Sequence, residues 1–106
     1  MTDKAFAMLG MATKAGKVVS GEFATEKAVK SSQAYLVIVA SDASDNTKKM
    51  FTNMCKFYKV PLRIYGDKIS LAHAIGKEMR ASVAVTEAGF SNVIIKHMDC
   101  NNSAEV

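Results

Sequence analysis

The chain has 106 residues, of which 49% are hydrophobic, and a formal charge of +4 at pH 7. That length supports one hydrophobic core but not two, and the composition excludes a disordered or fibrous chain. No apolar run approaches the roughly 20 residues of a bilayer span.

The N-terminal segment MTDKAFAMLG lacks the basic region and continuous apolar core of a secretory signal. Cys55 and Cys100 are too few to staple a domain and read as free thiols. Together these features lead us to expect a cytoplasmic protein with no membrane partner. The positive charge is uneven. Residues 1–60 hold nine lysines against five acids, whereas cations and acids balance in residues 61–106. Such an excess suits a polyanionic partner.

In chain order, Ala5, Phe6, Met8, Leu9 and Ala12 repeat at helical spacing. Asp3 or Thr2 is placed to cap this first helix and Gly16 to end it in a left-handed conformation. Lys17 to Val19 reads as a very short strand. Ser20-Gly21 opens a second helix with Ala24, Ala28 and Phe23 as its inward candidates. Tyr35 to Ala40 is nearly continuous in apolar and β-branched residues, the pattern of a central strand covered on both faces.

After the loop SDASDN, Asp45 is placed to cap a helix from about Asn46 to Tyr58, with Met50, Phe51, Met54 and Phe57 as its core stripe. Pro61 opens a strand through Tyr65, consistent with proline at a strand's first residue. Ser70 is read as the cap of a helix containing Leu71, Ala74, Ile75 and Met79. Val83 to Val85 forms another buried strand. A last helix from Gly89 to Met98 offers Phe90, Val93, Ile94 and His97 to the core, and DCNNSAEV follows as a polar tail expected to fray. Strands alternating with helices predict a three-layer α/β/α sandwich around a mixed sheet of about four strands. The domain is expected to occupy residues 1–99 and the tail residues 100–106.

Residues suited to covalent chemistry do not assemble into a motif. His73 and His97 sit in no metal-ligand spacing, Cys55 lies among core positions without a histidine partner, and Asp42 and Asp45 share a loop without an acid–base companion. Phosphate-loop and dinucleotide-binding signatures are missing from the sequence. The expectation is a non-enzymatic binder with no cofactor and no metal site.

The stretch AGKVVSGEFATEKAVKS is more informative. A glycine-punctuated entry leads into a short helix carrying Lys27 and Lys30. The first N–H groups of a helix lack internal partners and suit an anion such as phosphate.

The segments LGMATKAGKVVSG, AYLVIVASDAS, NTKKM, CKFYKVP and IGKEMRASVAVTEAGF, taken in order, resemble the ribosomal protein L7Ae/L30e family, and within it the small bacterial YlxQ-like members. The resemblance covers about residues 4–99. It implies an L30e-like fold, with binding to kink-turns or related internal loops of structured RNA, ribosomal RNA among them. It also implies a ribosomal or translation setting.

By this resemblance the RNA-facing helix begins at Gly21 and Glu22 and includes the family lysine at Lys27, with Lys30 further along. A second contact is the loop Ser41, Asp42, Ala43 and Ser44, with Lys48 beyond it. A third is Arg80, Ala81 and Ser82. Phe23 stands where archaeal and eukaryotic members carry an asparagine, and Ala24 stands where they carry an acid. The groups that read guanine edges are thereby removed. The runner-up reading is a protein-interaction module in translation or ribosome assembly, with a ribosomal or translation protein as partner.

Overall fold

The computed structural model describes residues 3–104, with side chains through Cys100. The elements are α1 (Lys4–Lys14), β1 (Val18–Ser20), α2 (Glu22–Lys30), β2 (Leu36–Val39), α3 (Asp45–Tyr58), β3 (Leu62–Ile64), α4 (Lys68–Ala74), β4 (Ser82–Val85) and α5 (Ala88–Ala104). The sheet order is β1-β4-β2-β3. β2 and β3 are parallel, and β4 runs antiparallel to both β1 and β2. β1, β2 and β3 therefore point the same way, with the reversed β4 inserted between β1 and β2.

Strand alternation divides the core into two layers. Leu36, Ile38, Val83 and Val85 face α1, α4 and α5, where they pack with Leu9, Leu71, Ile94 and Met98. Val37, Val39 and Ala84 face α2 and α3, where they meet Val29, Phe51 and Cys55. β2 and β4 are buried along their whole length, as apolar continuity predicts, but the expected strand from Tyr35 begins at Leu36, and Tyr35 is exposed. The architecture is the expected α/β/α sandwich on a mixed four-stranded sheet.

Helix ends differ in detail from the sequence expectation. Asp3 caps α1 by accepting from Phe6 N–H, whereas the alternative cap, Thr2, lies outside the described residues. Gly16 takes the expected left-handed conformation at φ +74°. Ser44, not Asp45, caps α3, because its hydroxyl accepts from Thr47 N–H and leaves Asp45 as the first helical residue. Asp67, not Ser70, caps α4, accepting from Ser70 N–H at 2.7 Å. The helix ends at Ala74, so Met79 falls outside it and is exposed.

Three side chains expected in the core are not there. Phe57 is 78% exposed, because Phe51 and Cys55, one turn apart, already occupy the inward stripe of α3. Phe57 instead meets Tyr58 edge to face, with ring centroids 5.0 Å apart. Val93 is exposed beside the buried Ile94 and Met98. Phe23 lies on the outer side of α2, whose buried residues are Thr25, Ala28 and Val29. α5 also continues past Met98 to Ala104. That segment contains no glycine or proline to stop a helix, and Asp99 is held by Arg63 of β3 through two hydrogen bonds of 2.9 and 3.2 Å. Backbone helix therefore replaces most of the expected tail, and residues 105–106 lie outside the described residues.

Two consequences can be measured. Cys55 is buried and Cys100 exposed, and burial pushes the Cys55 thiol up to about 11. At pH 8 one thiol should react rapidly with a disulfide reagent and the second only on unfolding; two fast thiols would contradict the core packing. Lys59 closes α3 at φ +60°, a left-handed conformation that costs a residue with a Cβ about 1–2 kcal/mol. After the entropy glycine loses on folding, Lys59→Gly should stabilise by about 0.5–1 kcal/mol, and an unchanged or lower Tm would argue against this backbone.

Candidate nucleic-acid interface

Because β1, β2 and β3 run in one direction, α2, α3 and α4 all begin at the same end of the sheet. β4 enters from that end. The carbonyl of Ser82 accepts from Gly21 N–H, and that of Ala81 accepts from Ala40 N–H, each at 2.9 Å. Ser41 N–H donates to Gly66 O at 2.7 Å, and Lys68 N–H donates to the Asp42 carboxylate at 2.9 Å. The three segments singled out in the sequence (Gly21 onward, 41–44 and 80–82) are thus drawn together, and the turn Gly66–Lys68 is tied into the same surface.

The three helix starts differ. Ser44 caps α3, and Asp67 caps α4. Hydrogen bonds from Ser70 hold the Asp67 carboxyl below its ordinary value, so it stays anionic. α2 starts at Gly21, which has no side chain to offer and makes no side-chain cap. Its φ of +93° and ψ of 156° fall in a region essentially reserved for glycine. The first turn of α2 therefore presents its N–H groups uncapped, at the positive end of the helix dipole.

Arg80 stands beside this opening. Its Nε donates to the Ser20 hydroxyl at 3.2 Å and its Nη1 to Met79 O at 2.7 Å, which fixes a half-exposed guanidinium next to the β1–α2 junction. Lys27 is exposed on α2. Lys30 pairs with Glu26 at 2.8 Å, and that hydrogen bond raises the lysine's affinity for its proton. Lys48, in the first turns of α3, is half-buried. Glu22, Ser41, Asp42 and Ser44 are exposed, while Ala81 is partly covered.

Two of the sequence-derived contact residues are placed differently. Ala43 is 6% exposed and belongs to the core beneath α3, and Ser82 is 1% exposed at the start of β4. Their side chains do not form surface. Ala43 shapes its loop, and Ser82 acts through the carbonyl that holds Gly21. Asp42 braces the start of α4, and Ser44 serves as a helix cap.

Ser20, Gly66 and Lys68 are members of this surface that sequence reasoning missed. The available signal was directional: a turn following a strand parallel to β2 must emerge at β2's own exit. Lys17 goes the other way. Its carbonyl accepts from Thr86 N–H just beyond β4, which puts it at the opposite end of the sheet. Among the described residues there is no group of three or more His, Cys, Asp or Glu able to hold a metal ion, and no helix is long and apolar enough to cross a membrane.

Residues 3–95 match the ribosomal protein L7Ae/L30e/S12e/Gadd45 family. RNA-binding protein YlxQ of Bacillus subtilis is 45% identical over 94 residues, covering 89% of this chain and 94% of the relative. A protein of unknown function from Bacillus halodurans C superposes with a TM-score of 0.90 at 37% identity, covering 92% of this chain and 99% of that one. The Giardia lamblia 15.5kD RNA binding protein shares the fold, with a TM-score of 0.77 at 18% identity, over 97% of this chain and 92% of that one. Family match, sequence relative and fold agree over nearly the whole chain: it belongs to the ribosomal protein L7Ae/L30e/S12e/Gadd45 family.

Proposed function

We propose that this protein binds structured RNA through the end of the sheet where α2, α3 and α4 begin, and that it does so in a ribosomal or translation setting. Binding makes and breaks no covalent bond. The observation that carries this reading is the uncapped start of α2 at Gly21 beside an Arg80 anchored to Ser20, with Lys27 exposed further along the same helix in its last turn. N–H groups and cations of this kind are complementary to a phosphate backbone. The RNA-binding relative from Bacillus subtilis, similar over most of both chains, supports the same reading.

An internal loop or kink-turn-like element suits this surface better than a regular duplex. A-form RNA hides its base edges in a deep, narrow major groove, whereas loops turn bases outward. The α2 start and Lys27 would hold backbone phosphate, and the 41–44 and 80–82 loops would approach distorted backbone. Arg80, with both a planar face and a charge, suits either stacking or a phosphate contact. A cytoplasmic setting is consistent with this reading, and ribosomal RNA is a partner of matching chemistry.

Lys27→Ala and Lys59→Ala separate this site from diffuse charge, because Lys59 closes α3 at the opposite end of the sheet. Titrated with a folded RNA containing an internal loop, Lys27→Ala should weaken binding and lower the salt slope by roughly one. Lys59→Ala should change neither by a comparable amount. Equal losses would replace the site with a general basic surface, and absence of binding at low salt would refute the function.

A further inference from the structure

We infer that Phe23 is a stacking platform for one unpaired nucleobase, with Lys27 holding the phosphate next to it; this rests on the RNA-binding reading above. Phe23 is 80% exposed on the second residue of α2. Leaving a phenylalanine uncovered forgoes about 1.5–3 kcal/mol of burial, and nothing in the fold requires an aromatic there. The helix is anchored by Thr25, Ala28 and Val29, a stripe on the opposite side. At 100° per residue, Phe23, Lys27 and Lys30 fall together on the outer face.

That face forms an open groove of about 390 Å³ lined by Phe23, Glu26, Lys27, Lys30 and Ser31. Within it Glu26 is committed to Lys30, and among the described residues Lys27 makes no ion pair. A flat apolar ring beside an unpaired ammonium matches the two halves of a nucleotide: a π face to stack and a phosphate to neutralise. The charge balance of the groove favours an anionic occupant over an apolar protein segment. A ring at this position offers no hydrogen-bond donor or acceptor, so it grips a base without distinguishing which base it is. Recognition at this point is therefore by exposure of a base rather than by its identity.

The test uses the full chain and a hairpin RNA carrying an internal loop, with 2-aminopurine substituted at single loop positions, beside a fully paired hairpin of equal length. Wild-type protein should prefer the looped RNA and change the fluorescence of one loop position. Phe23→Ala should lose about ten- to a hundredfold in affinity, the range for one base–aromatic stack, and should lose that fluorescence change. Its salt slope should be unaltered, since no charge is removed, and its Tm nearly so, since the side chain is exposed.

Phe23→Trp should stay within about threefold of wild type, while Phe23→Leu should behave like the alanine variant. Retention of affinity by Phe23→Leu would overturn stacking in favour of simple apolar contact. Wild-type binding with no loss in Phe23→Ala would overturn this inference alone and leave Phe23 to a protein partner. Failure of the wild type to bind either RNA would overturn the RNA-binding reading with it.

Discussion

Two adjacent carbonyls at the entry to β4 organise this molecule. Ser82 O takes the first N–H beyond β1, from Gly21, and Ala81 O takes the first N–H beyond β2, from Ala40. Because β4 is antiparallel to both neighbours, one short segment ties together the exits of two strands and hence the origins of α2 and α3. The parallel pairing of β2 with β3 brings the start of α4 to the same edge. Convergence of three helix starts follows from strand direction, and no long-range charge pairing is needed to assemble it.

This arrangement divides labour between backbone and side chain. Ser44 and Asp67 each accept an N–H from the first turn of α3 and α4, so those ends carry a side-chain cap. Gly21 leaves α2 open, and the backbone angles it adopts are ones few other residues tolerate. Arg80 is held by Ser20 and its own neighbour's carbonyl, so its charge is positioned before any ligand arrives. An anchored guanidinium loses less freedom on binding than a free one, a general source of affinity through preorganisation. Several side chains that the sequence places at the interface instead maintain its shape: Asp42 at α4, Ser44 at α3 and Ala43 in the core.

The sheet and its two covering layers were legible because burial on both faces leaves continuous apolar strands, as in 36–39 and 83–85. The stripe of α1 was legible from helical spacing. Phe57 was misassigned to the core, and Phe23 was left between core and surface, for a common reason: periodicity identifies aromatic residues but not which of two adjacent stripes meets the sheet. In α2 the inward stripe runs through the small and β-branched Thr25, Ala28 and Val29, so the largest side chain faces out. The charge asymmetry was also incomplete as a guide. Lys17 and Lys59 belong to the lysine-rich half of the sequence yet sit at the far end of the sheet, while Lys68 and Arg80 come from the balanced half and join the proposed surface. Sequence position cannot report such placement, because it depends on strand direction.

The central claim is that RNA meets the sheet end where α2 starts. Amide chemical shifts of the protein, followed during titration with a looped RNA, test it residue by residue. The account predicts the largest changes at Glu22, Phe23, Ala24, Ser41 and Arg80, with Tyr35, Lys59 and Val60 at the opposite end nearly still. Changes concentrated around Tyr35 and Lys59, with the first turn of α2 unaffected, would contradict it.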